Sequence, residues 1–365
     1  MEPTKHRLAY IDALRGFAIL GVIVYHCFLW TLTALPGLRP ILKQIANQGG
    51  NGVQLFFLVS AFTLSLSIQT SRTRGNFSLP AFFRNRFFRI VPLYWLAIAW
   101  YLAENRFRGG DPIPWLQVFA GATFTNGWVP GWMNAPVSGG WSIMMEVCFY
   151  FALPFLLAFV KDWQRAALLV LACLGLQILV LNVFAGASPG SGPHTPSPWT
   201  ESLWFLMPAQ AVVFALGLLM FRLPAREPAP PETGTRSSLA FIFSGGILIA
   251  ALLMKADLFL PPLFLFSVAY VLIAMGLSRR PWSVLCTPFT CAVGKASYSA
   301  YLCHFALLDG GMAFLLPPLQ RTGWHDTPVF LTFTALMILL TCIVSQAFHR
   351  GLELPIQRFH RGSLR

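Results

Sequence analysis

Charge is scarce in this chain. Of its 365 residues only 11% are charged, and the 13 acidic residues are outnumbered by 26 lysines and arginines. This low charged fraction, together with 56% hydrophobic residues and a mean hydropathy of +0.63, excludes an ordinary soluble domain, in which about a quarter of the residues are charged. The composition therefore predicts a polytopic membrane protein.

Cysteine is also sparse and poorly placed for covalent or metal chemistry. The seven cysteines are odd in number, lie mostly inside apolar runs and never form a Cys-x-x-Cys pair. This pattern excludes a disulfide framework and a thiolate metal site, and we expect small core residues instead. We expect no cleavable signal peptide, because the first apolar run is long and is interrupted by Arg15.

Long apolar runs, by contrast, are abundant. Ten of them approach the length that crosses the roughly 30 Å apolar core of a bilayer. They predict an all-α integral membrane protein with about ten transmembrane helices, over Leu8–Leu32, Val53–Gln69, Ile90–Glu104, Trp141–Val160, Ala166–Ala185, Leu203–Phe221, Leu239–Met254, Leu258–Leu277, Ala296–Leu316 and Val329–Phe348.

The basic residues are distributed unevenly between alternate connections. If the N-terminus is cytoplasmic, 18 of the 26 lysines and arginines fall on the cytoplasmic side, and the other side receives only Arg39, Lys43, Arg106, Arg108, Lys255 and Arg321. Arg15 and Lys295 lie within or beside apolar runs. This asymmetry follows the positive-inside rule, so we expect both termini in the cytoplasm. It explains the net charge of +13 without nucleic acid as a partner.

The sequence predicts one transmembrane domain over residues 1–365, with no strong internal repeat and no soluble module. Residues 223–238, rich in proline, alanine and glutamate, predict a flexible cytoplasmic loop. Residues 349–365 predict a basic cytoplasmic tail. Two outer connections, 106–140 and 186–202, contain several tryptophans, which are typical of the membrane interface; a sugar-stacking platform is the alternative.

Arg15 and His26 share one face of the first apolar run. Eleven residues make about three helical turns, so both side chains point the same way, about 16 Å apart along the axis. Ionisable groups inside a membrane indicate function by default. The alternative is that Arg15 snorkels to the cytoplasmic headgroups and His26 only bonds to a neighbouring helix.

Arg86 and Arg89 belong to a basic, aromatic stretch that precedes the third apolar run. At i, i+3 spacing they lie on one helical face, and planar guanidinium groups suit phosphate oxygens. The pair therefore predicts a site for a phosphorylated cofactor at the inner surface. The alternative is a cluster that meets lipid headgroups.

Two further runs contain polar groups at membrane depth. Glu146 lies about one and a half turns into the fourth run and needs a proton or a cationic partner, for which His26 is at a comparable level. A histidine held by a carboxylate is a recognisable general base. In the ninth run His304 is surrounded by hydroxyl groups, although a buried histidine is often only a core residue. Neither histidine has the spacing of a metal ligand, so no metal is expected.

Five short motifs follow one another along the chain. They are Asp12-Ala13-Leu14-Arg15-Gly16 with His26, Gly52 to Ser60, Arg86-x-x-Arg89-Ile90 with Pro92, Trp141-Ser142 with Glu146 and Phe149-Tyr150, and Ser297-Tyr298-Ser299 with Tyr301-Leu302 and His304. In this order they resemble the membrane-bound acyltransferase family 3, which includes bacterial O-antigen and exopolysaccharide O-acetyltransferases. Two positions depart from the family pattern: Gln54 replaces an acidic residue and Ala61 a glycine.

The resemblance implies transfer of an acyl group, most often acetyl, from cytoplasmic acetyl-CoA or another acyl-CoA to a hydroxyl of a cell-surface or lipid-linked carbohydrate. It also implies a bacterial inner-membrane location. Arg15, Arg86 and Arg89 are expected to bind the nucleotide phosphates, and His26, oriented by Glu146, is expected to be the general base, with a covalent acyl-imidazole as the alternative. The expected substrate-binding residues are Tyr298, Tyr301, His304, Trp141 and Ser142.

Two other classes of protein fit parts of the sequence. A transporter or flippase for lipid-linked glycans also needs many helices and buried charges, but it more often shows inverted repeats and broken helices, which are not evident in this sequence. A non-catalytic scaffold requires neither the Arg15 and His26 register nor the paired arginines. The sequence leaves open the acceptor, the acyl chain length and the oligomeric state.

Overall fold

The computed structural model describes residues 9–129, 131–185, 207–223, 231–255 and 258–362. Every regular element in these ranges is a helix, and no strand occurs in them, which confirms the all-α prediction. The α-helices are α1 (Ala9–Thr31), α2 (Pro40–Gln48), α3 (Gly52–Thr73), α4 (Leu79–Phe107), α5 (Trp115–Ala122), α6 (Gly140–Phe159), α7 (Trp163–Ala185), α8 (Met207–Arg222), α9 (Pro231–Leu253), α10 (Pro262–Arg279), α11 (Pro288–Lys295), α12 (Ser297–Phe314), α13 (Leu316–Gln320), α14 (Asp326–Phe348) and α15 (Leu354–Gly362).

The described helices are those of an integral membrane protein. It contains eight helices that are long and apolar enough to cross a membrane, and α8 is a shorter apolar helix. The ninth predicted run is also helical, as α12, but it is not among the eight. Its serines, His304 and Asp309 lower its hydropathy.

Three helices extend beyond the predicted runs. Helix α4 begins at Leu79, so the basic stretch with Arg86 and Arg89 is part of a helix of 29 residues that contains Pro92. Helix α9 begins at Pro231, within the range 223–238 for which the sequence predicted a loop; residues 224–230 lie outside the described ranges. The predicted tail from 349 starts as a π-helix, His349–Glu353, and continues as α15.

The chain divides into two compact units, a division that the sequence did not predict within its single domain. Unit 1 comprises Met1–Phe56 and Glu227–Arg365, and unit 2 comprises Phe57–Arg226. Unit 1 contains the first and last parts of the chain, so its helices come from segments that are far apart in sequence. The candidate residues are distributed over both units.

Helix α1 lies at the centre of unit 1 and packs against α11, α12 and α14. Its contact with α11 is very close: a Cβ atom at Gly16 would overlap the carbonyl group of Thr290, and one at Gly294 would overlap that of Asp12. Glycine at both positions allows the two backbones to touch. Helix α11 is therefore fixed beside the first turns of α1.

This contact sets the direction of the following helix. Because α11 ends at Lys295 beside the start of α1, helix α12 begins at the same level and runs parallel to α1. Helix α14 runs the opposite way: Asp326 at its start accepts a hydrogen bond from the backbone N–H of Gly37 (2.5 Å), and Gln346 near its end donates to Ala292 of α11 (2.8 Å).

Unit 2 has an aromatic core between three helices. The ring of Phe214 on α8 stacks on those of Phe57 on α3 and Phe149 on α6, with centroid distances of 4.7 Å and 4.4 Å. Gln177 on α7 donates a hydrogen bond to the carbonyl oxygen of Ala209 on α8 (2.9 Å). These contacts fix α6, from which Glu146 projects.

Candidate functional site

A pair of histidines forms the centre of the candidate site in unit 1. The Nε2 atom of His304 on α12 lies 3.3 Å from the Nδ1 atom of His26 on α1. The ring centroids are 5.1 Å apart and the rings are tilted by 46°. His304 is completely buried, and His26 is partly exposed. The parallel course of α1 and α12 brings together two residues that are 278 positions apart.

Backbone carbonyl groups define the tautomers of this pair. A carbonyl oxygen only accepts hydrogen bonds, so the Nδ1–H of His304 donates to Tyr301 (2.7 Å), and the Nδ1–H of His26 donates to Val22 (2.9 Å). In the neutral ring of His304, Nε2 then carries a lone pair and accepts from the Nδ1–H of His26. The lone pair of His26 is therefore on its Nε2 atom.

Arg15 lies on the same helix as His26, as the sequence predicted. Both residues belong to α1, eleven positions apart, so the helix places them on one face, about 16 Å apart along its axis. Arg15 is partly exposed, and the Gly16 contact places it beside α11. The arginine is therefore at the N-terminal end of the helix and the histidine near the C-terminal end.

Aromatic rings surround His26. The ring of Phe305 lies 4.4 Å from that of His26, and the ring of Trp30 lies 5.8 Å from it, measured between centroids. The indole N–H of Trp30 donates a hydrogen bond to Asp309 of α12 (3.2 Å). The sequence interpretation did not single out Trp30 or Asp309, although an aspartate inside a long apolar run is itself a signal of function.

The two tyrosines of α12 occupy different environments. Tyr301 is buried, with its ring 5.4 Å from that of His304 and 6.4 Å from that of Phe56. Tyr298, one turn earlier, is partly exposed. Tyr301 therefore belongs to the surroundings of the histidine pair, and a substrate-binding role for either tyrosine stays a prediction.

Glu146 is the polar centre of unit 2. Its Oε1 atom accepts hydrogen bonds from Ser60 Oγ on α3 and from Tyr150 OH on its own helix, both at 2.6 Å. Such short distances are typical of hydroxyl groups bound to a carboxylate. His26 belongs to the other unit, and its pairing with Glu146 stays a prediction.

Arg86 and Arg89 belong to the same unit as Glu146 and Tyr150. Both lie on α4 and are partly exposed. Unit 2 therefore contains two guanidinium groups on α4 and the hydrogen-bonded pair of Glu146 and Tyr150 on α6. Tyr150 follows Glu146 by four residues, a spacing from which the contact was foreseeable, whereas nothing in the sequence pairs Ser60 with Glu146.

Trp141 and Ser142 lie at the start of α6 and have structural contacts. Trp141 is buried, with its ring edge-on to that of Phe57 at 6.1 Å. Ser142 is also buried, and its hydroxyl donates to the carbonyl oxygen of Gly139 (3.1 Å), before the first turn of the helix. These contacts leave their predicted role in substrate binding untested.

Fold and site together define a class: an integral membrane protein of many helices with a partly buried histidine pair in one unit and, in the other, a polar centre with two arginines. Within the described ranges, no group of three histidine, cysteine or acidic side chains is arranged to hold a metal ion. The chain belongs to the membrane acyltransferase family 3, because the model of that family, described as an acyltransferase domain, matches residues 8–346.

Two relatives of established name match nearly the whole of this chain. The chain is 25% identical to the acyltransferase MdmB of Streptomyces mycarofaciens, over 98% of this chain and 94% of the relative. It is 26% identical to the peptidoglycan O-acetyltransferase OatA of Listeria monocytogenes, over 95% of this chain but only 55% of that protein. No solved structure matches the chain.

Proposed function

We propose that this chain is a transmembrane O-acyltransferase that moves an acyl group, most often acetyl, from acyl-CoA at the cytoplasmic face to a hydroxyl of a cell-surface or lipid-linked carbohydrate. Membership of the acyltransferase family supports the reaction class. The name of one relative, a peptidoglycan O-acetyltransferase, supports a carbohydrate acceptor. The match covers only 55% of that relative, so the relative's full activity is not ascribed to this chain.

The observation that carries the proposal is the orientation of His26. Val22 and His304 both accept from its Nδ1–H, which leaves the lone pair on Nε2. A general base must present its lone pair in a fixed direction, and a second hydrogen bond on the other ring nitrogen provides that direction. Aromatic rings around the imidazole reduce access of water, which would otherwise hydrolyse the donor.

The proposed reaction starts with Nε2 of His26 removing the proton of an acceptor hydroxyl. The hydroxyl oxygen attacks the thioester carbonyl, the carbon–sulfur bond breaks, and the coenzyme A thiolate leaves. The imidazolium returns the proton to the sulfur, so the products are an ester and free coenzyme A. A positioned base of this kind contributes about 10²- to 10⁴-fold to the rate.

A covalent route is the alternative with the same residue. In it Nε2 of His26 attacks the thioester carbonyl, the carbon–sulfur bond breaks and coenzyme A leaves as the thiolate. The acceptor hydroxyl then attacks the acyl-imidazolium, the bond from nitrogen to the acyl group breaks, and the hydroxyl proton is released, which regenerates neutral His26. This route releases coenzyme A before the acceptor binds. A stoichiometric burst of free thiol without acceptor, with an enzyme heavier by one acetyl group, distinguishes it from direct transfer.

The arginines are proposed to bind the donor. Guanidinium groups bind phosphate oxygens in a bidentate manner, and Arg86 and Arg89 lie one turn apart and partly exposed on α4. Glu146 supplies opposite charge in the same unit. Arg15 is proposed to serve the donor too, because it lies on the His26 face of α1 and on the side expected to be cytoplasmic.

The experiment is acetyl transfer by the purified protein in nanodiscs, measured as release of free thiol from acetyl-CoA. We expect His26→Asn to abolish turnover, because asparagine keeps a donor near the position of Nδ1 but offers no base. The matched control is His325→Asn, since His325 is exposed just before α14 and belongs to no part of the site. Turnover retained by His26→Asn would remove this histidine from catalysis.

A further inference from the structure

Trp30 and Asp309 form a polar contact that the proposed reaction does not use. The indole N–H of Trp30 donates to the Oδ1 atom of Asp309 (3.2 Å). Both side chains are partly exposed, unlike the fully buried His304. The ring of Phe305 lies 5.5 Å from that of Trp30 and 4.4 Å from that of His26, so it connects this contact to the proposed base.

Both residues lie beyond the histidines when counted from the donor side. Trp30 follows His26 by four residues on α1, and Asp309 follows His304 by five on α12. Since α1 and α12 run parallel from the α11 contact, Trp30 and Asp309 are displaced from the histidines in the same direction, by about 6 and 7.5 Å at a rise of 1.5 Å per residue. Arg15 lies in the opposite direction along α1.

A carboxylate in this position needs an explanation. Aspartate is among the costliest residues within a membrane helix, and natural proteins keep it there mainly for function. A tryptophan beside it supplies a flat apolar surface together with one polar N–H. Sugar rings have apolar C–H faces and vicinal hydroxyls, which a flat aromatic surface and a carboxylate complement.

We propose that Trp30, Phe305 and Asp309 form the subsite that binds a sugar ring of the acceptor. The sugar ring lies against the partly exposed indole of Trp30, which the buried ring of Phe305 adjoins, and Asp309 accepts hydrogen bonds from its hydroxyls. One hydroxyl then faces His26 from the side opposite Arg15. This inference rests on the proposed function for the reaction, but the binding that it describes is measurable without the donor.

The test uses chitotriose, a soluble trimer of N-acetylglucosamine, as the probe. Saturation-transfer NMR in nanodiscs measures its binding without donor, and steady-state kinetics with acetyl-CoA measure its KM. Asp309→Asn removes the charge with little change of shape, and Trp30→Phe removes the N–H and part of the surface. The matched controls are Asp111→Asn and Trp324→Phe, which change exposed residues.

We expect Asp309→Asn to weaken chitotriose binding and raise its KM by about 10- to 150-fold, the effect of a hydrogen bond to a charged group. Trp30→Phe should have a smaller effect in the same direction. The affinity for coenzyme A, measured by calorimetry, should stay the same. The controls should match the unchanged protein in all three measurements.

Three results would overturn this inference, and each can be told apart from a result that contradicts the proposed enzymatic reaction. If both variants bind chitotriose with the affinity of the unchanged protein, Trp30 and Asp309 only pack the helices together. Equal loss of chitotriose and coenzyme A binding shows a general disturbance of the fold. Donor cleavage that depends on His26, without any chitotriose binding, excludes this class of sugar. Absence of acetyl transfer despite binding that depends on Asp309 contradicts the enzyme proposal alone.

Discussion

The Nε2 atom of His304 faces the Nδ1 atom of His26 at 3.3 Å, and the second nitrogen of His304 is bound to its own helix through Tyr301. His304 therefore holds one ring nitrogen of His26 in place, while the other is left for chemistry. The pair connects the C-terminal half of α1 to α12. In the proposed mechanism this relationship would make His304 a positioning residue, whereas the family resemblance implied a role in substrate binding.

A positioning role for His304 predicts unequal effects of two substitutions. His304→Gln keeps a hydrogen-bond acceptor near the position of Nε2 and should keep most of the activity. His304→Ala removes that acceptor and should lower kcat by about tenfold, the upper effect of one lost neutral hydrogen bond. Steady-state kinetics in nanodiscs measure both. If His304 instead binds the acceptor, the KM for the acceptor rises while kcat stays the same.

Replacement of both Arg86 and Arg89 by glutamine should weaken coenzyme A binding. Each charge-assisted hydrogen bond contributes about 1.5 to 3 kcal/mol, so the double variant should lose at least about a hundredfold in affinity. The loss should be smaller at high salt, because exposed charges are screened. Calorimetry at two ionic strengths measures this.

Arg84→Gln is the matched control for the arginine pair. Arg84 is exposed on the same helix, and its substitution removes the same kind of charge. Its substitution should leave the affinity for coenzyme A unchanged. Equal effects of Arg84 and of the pair would mean that the stretch only provides general positive charge for lipid headgroups, which was the alternative interpretation of the sequence.

Glu146 and Tyr150 offer a test of stability in unit 2. Tyr150→Phe removes one of two hydroxyl donors to the carboxylate, and Ser60→Ala removes the other. Each should lower the free energy of unfolding by about 1.5 to 3 kcal/mol, as expected for a hydrogen bond to a charged group. Thermal unfolding in detergent measures the change. Glu146→Gln should raise the KM for the donor if the carboxylate orders the arginines, and should lower kcat if it orients His26.

Much of the candidate site was predictable from local spacing. The eleven-residue interval between Arg15 and His26 places both on one helical face, and the structure has a continuous helix there. The interval of three between Arg86 and Arg89 is likewise helical. Such relationships depend only on the helical period. Contacts between distant segments, such as Ser60 with Glu146 and His26 with His304, depend on how helices pack, and no periodicity determines this.

The fold was predictable to a similar extent. Each described membrane helix overlaps one predicted apolar run, because length and hydropathy decide where a helix can cross a bilayer. The short helix α11 was not predicted: its eight residues are too few for a span. It nevertheless sets the level at which α12 begins, and thereby the pairing of the histidines.

The orientation of the chain stays a prediction and is open to direct measurement. The excess of basic residues in alternate connections places the connection between α3 and α4 in the cytoplasm and the one between α4 and α5 outside. Reporter fusions after Gly75 and after Gly109 should therefore fall on opposite sides of the membrane. Cytoplasmic signals from both fusions would show that α4 does not cross the membrane. An outside signal from the fusion after Gly75 would place Arg86 and Arg89 on a different surface from the one proposed.

The contact between α1 and α11 predicts that Gly294 tolerates no side chain. A methyl group there would overlap the backbone carbonyl of Asp12, and a backbone cannot move aside as a flexible side chain can. Gly294→Ala should therefore lower both the thermal stability and the activity, because α11 sets the start of α12 and thus the position of His304.

The matched control for Gly294→Ala is Gly310→Ala, on α12. A Cβ atom at Gly310 would meet no atom within 4 Å, and alanine favours helix over glycine by about 0.5 to 1 kcal/mol. This variant should be as stable as the unchanged protein or slightly more so. Because the two substitutions add the same methyl group to neighbouring helices of one unit, opposite effects isolate the α1–α11 contact. If the two variants are equally stable, the α1–α11 contact is not what aligns α12 with α1.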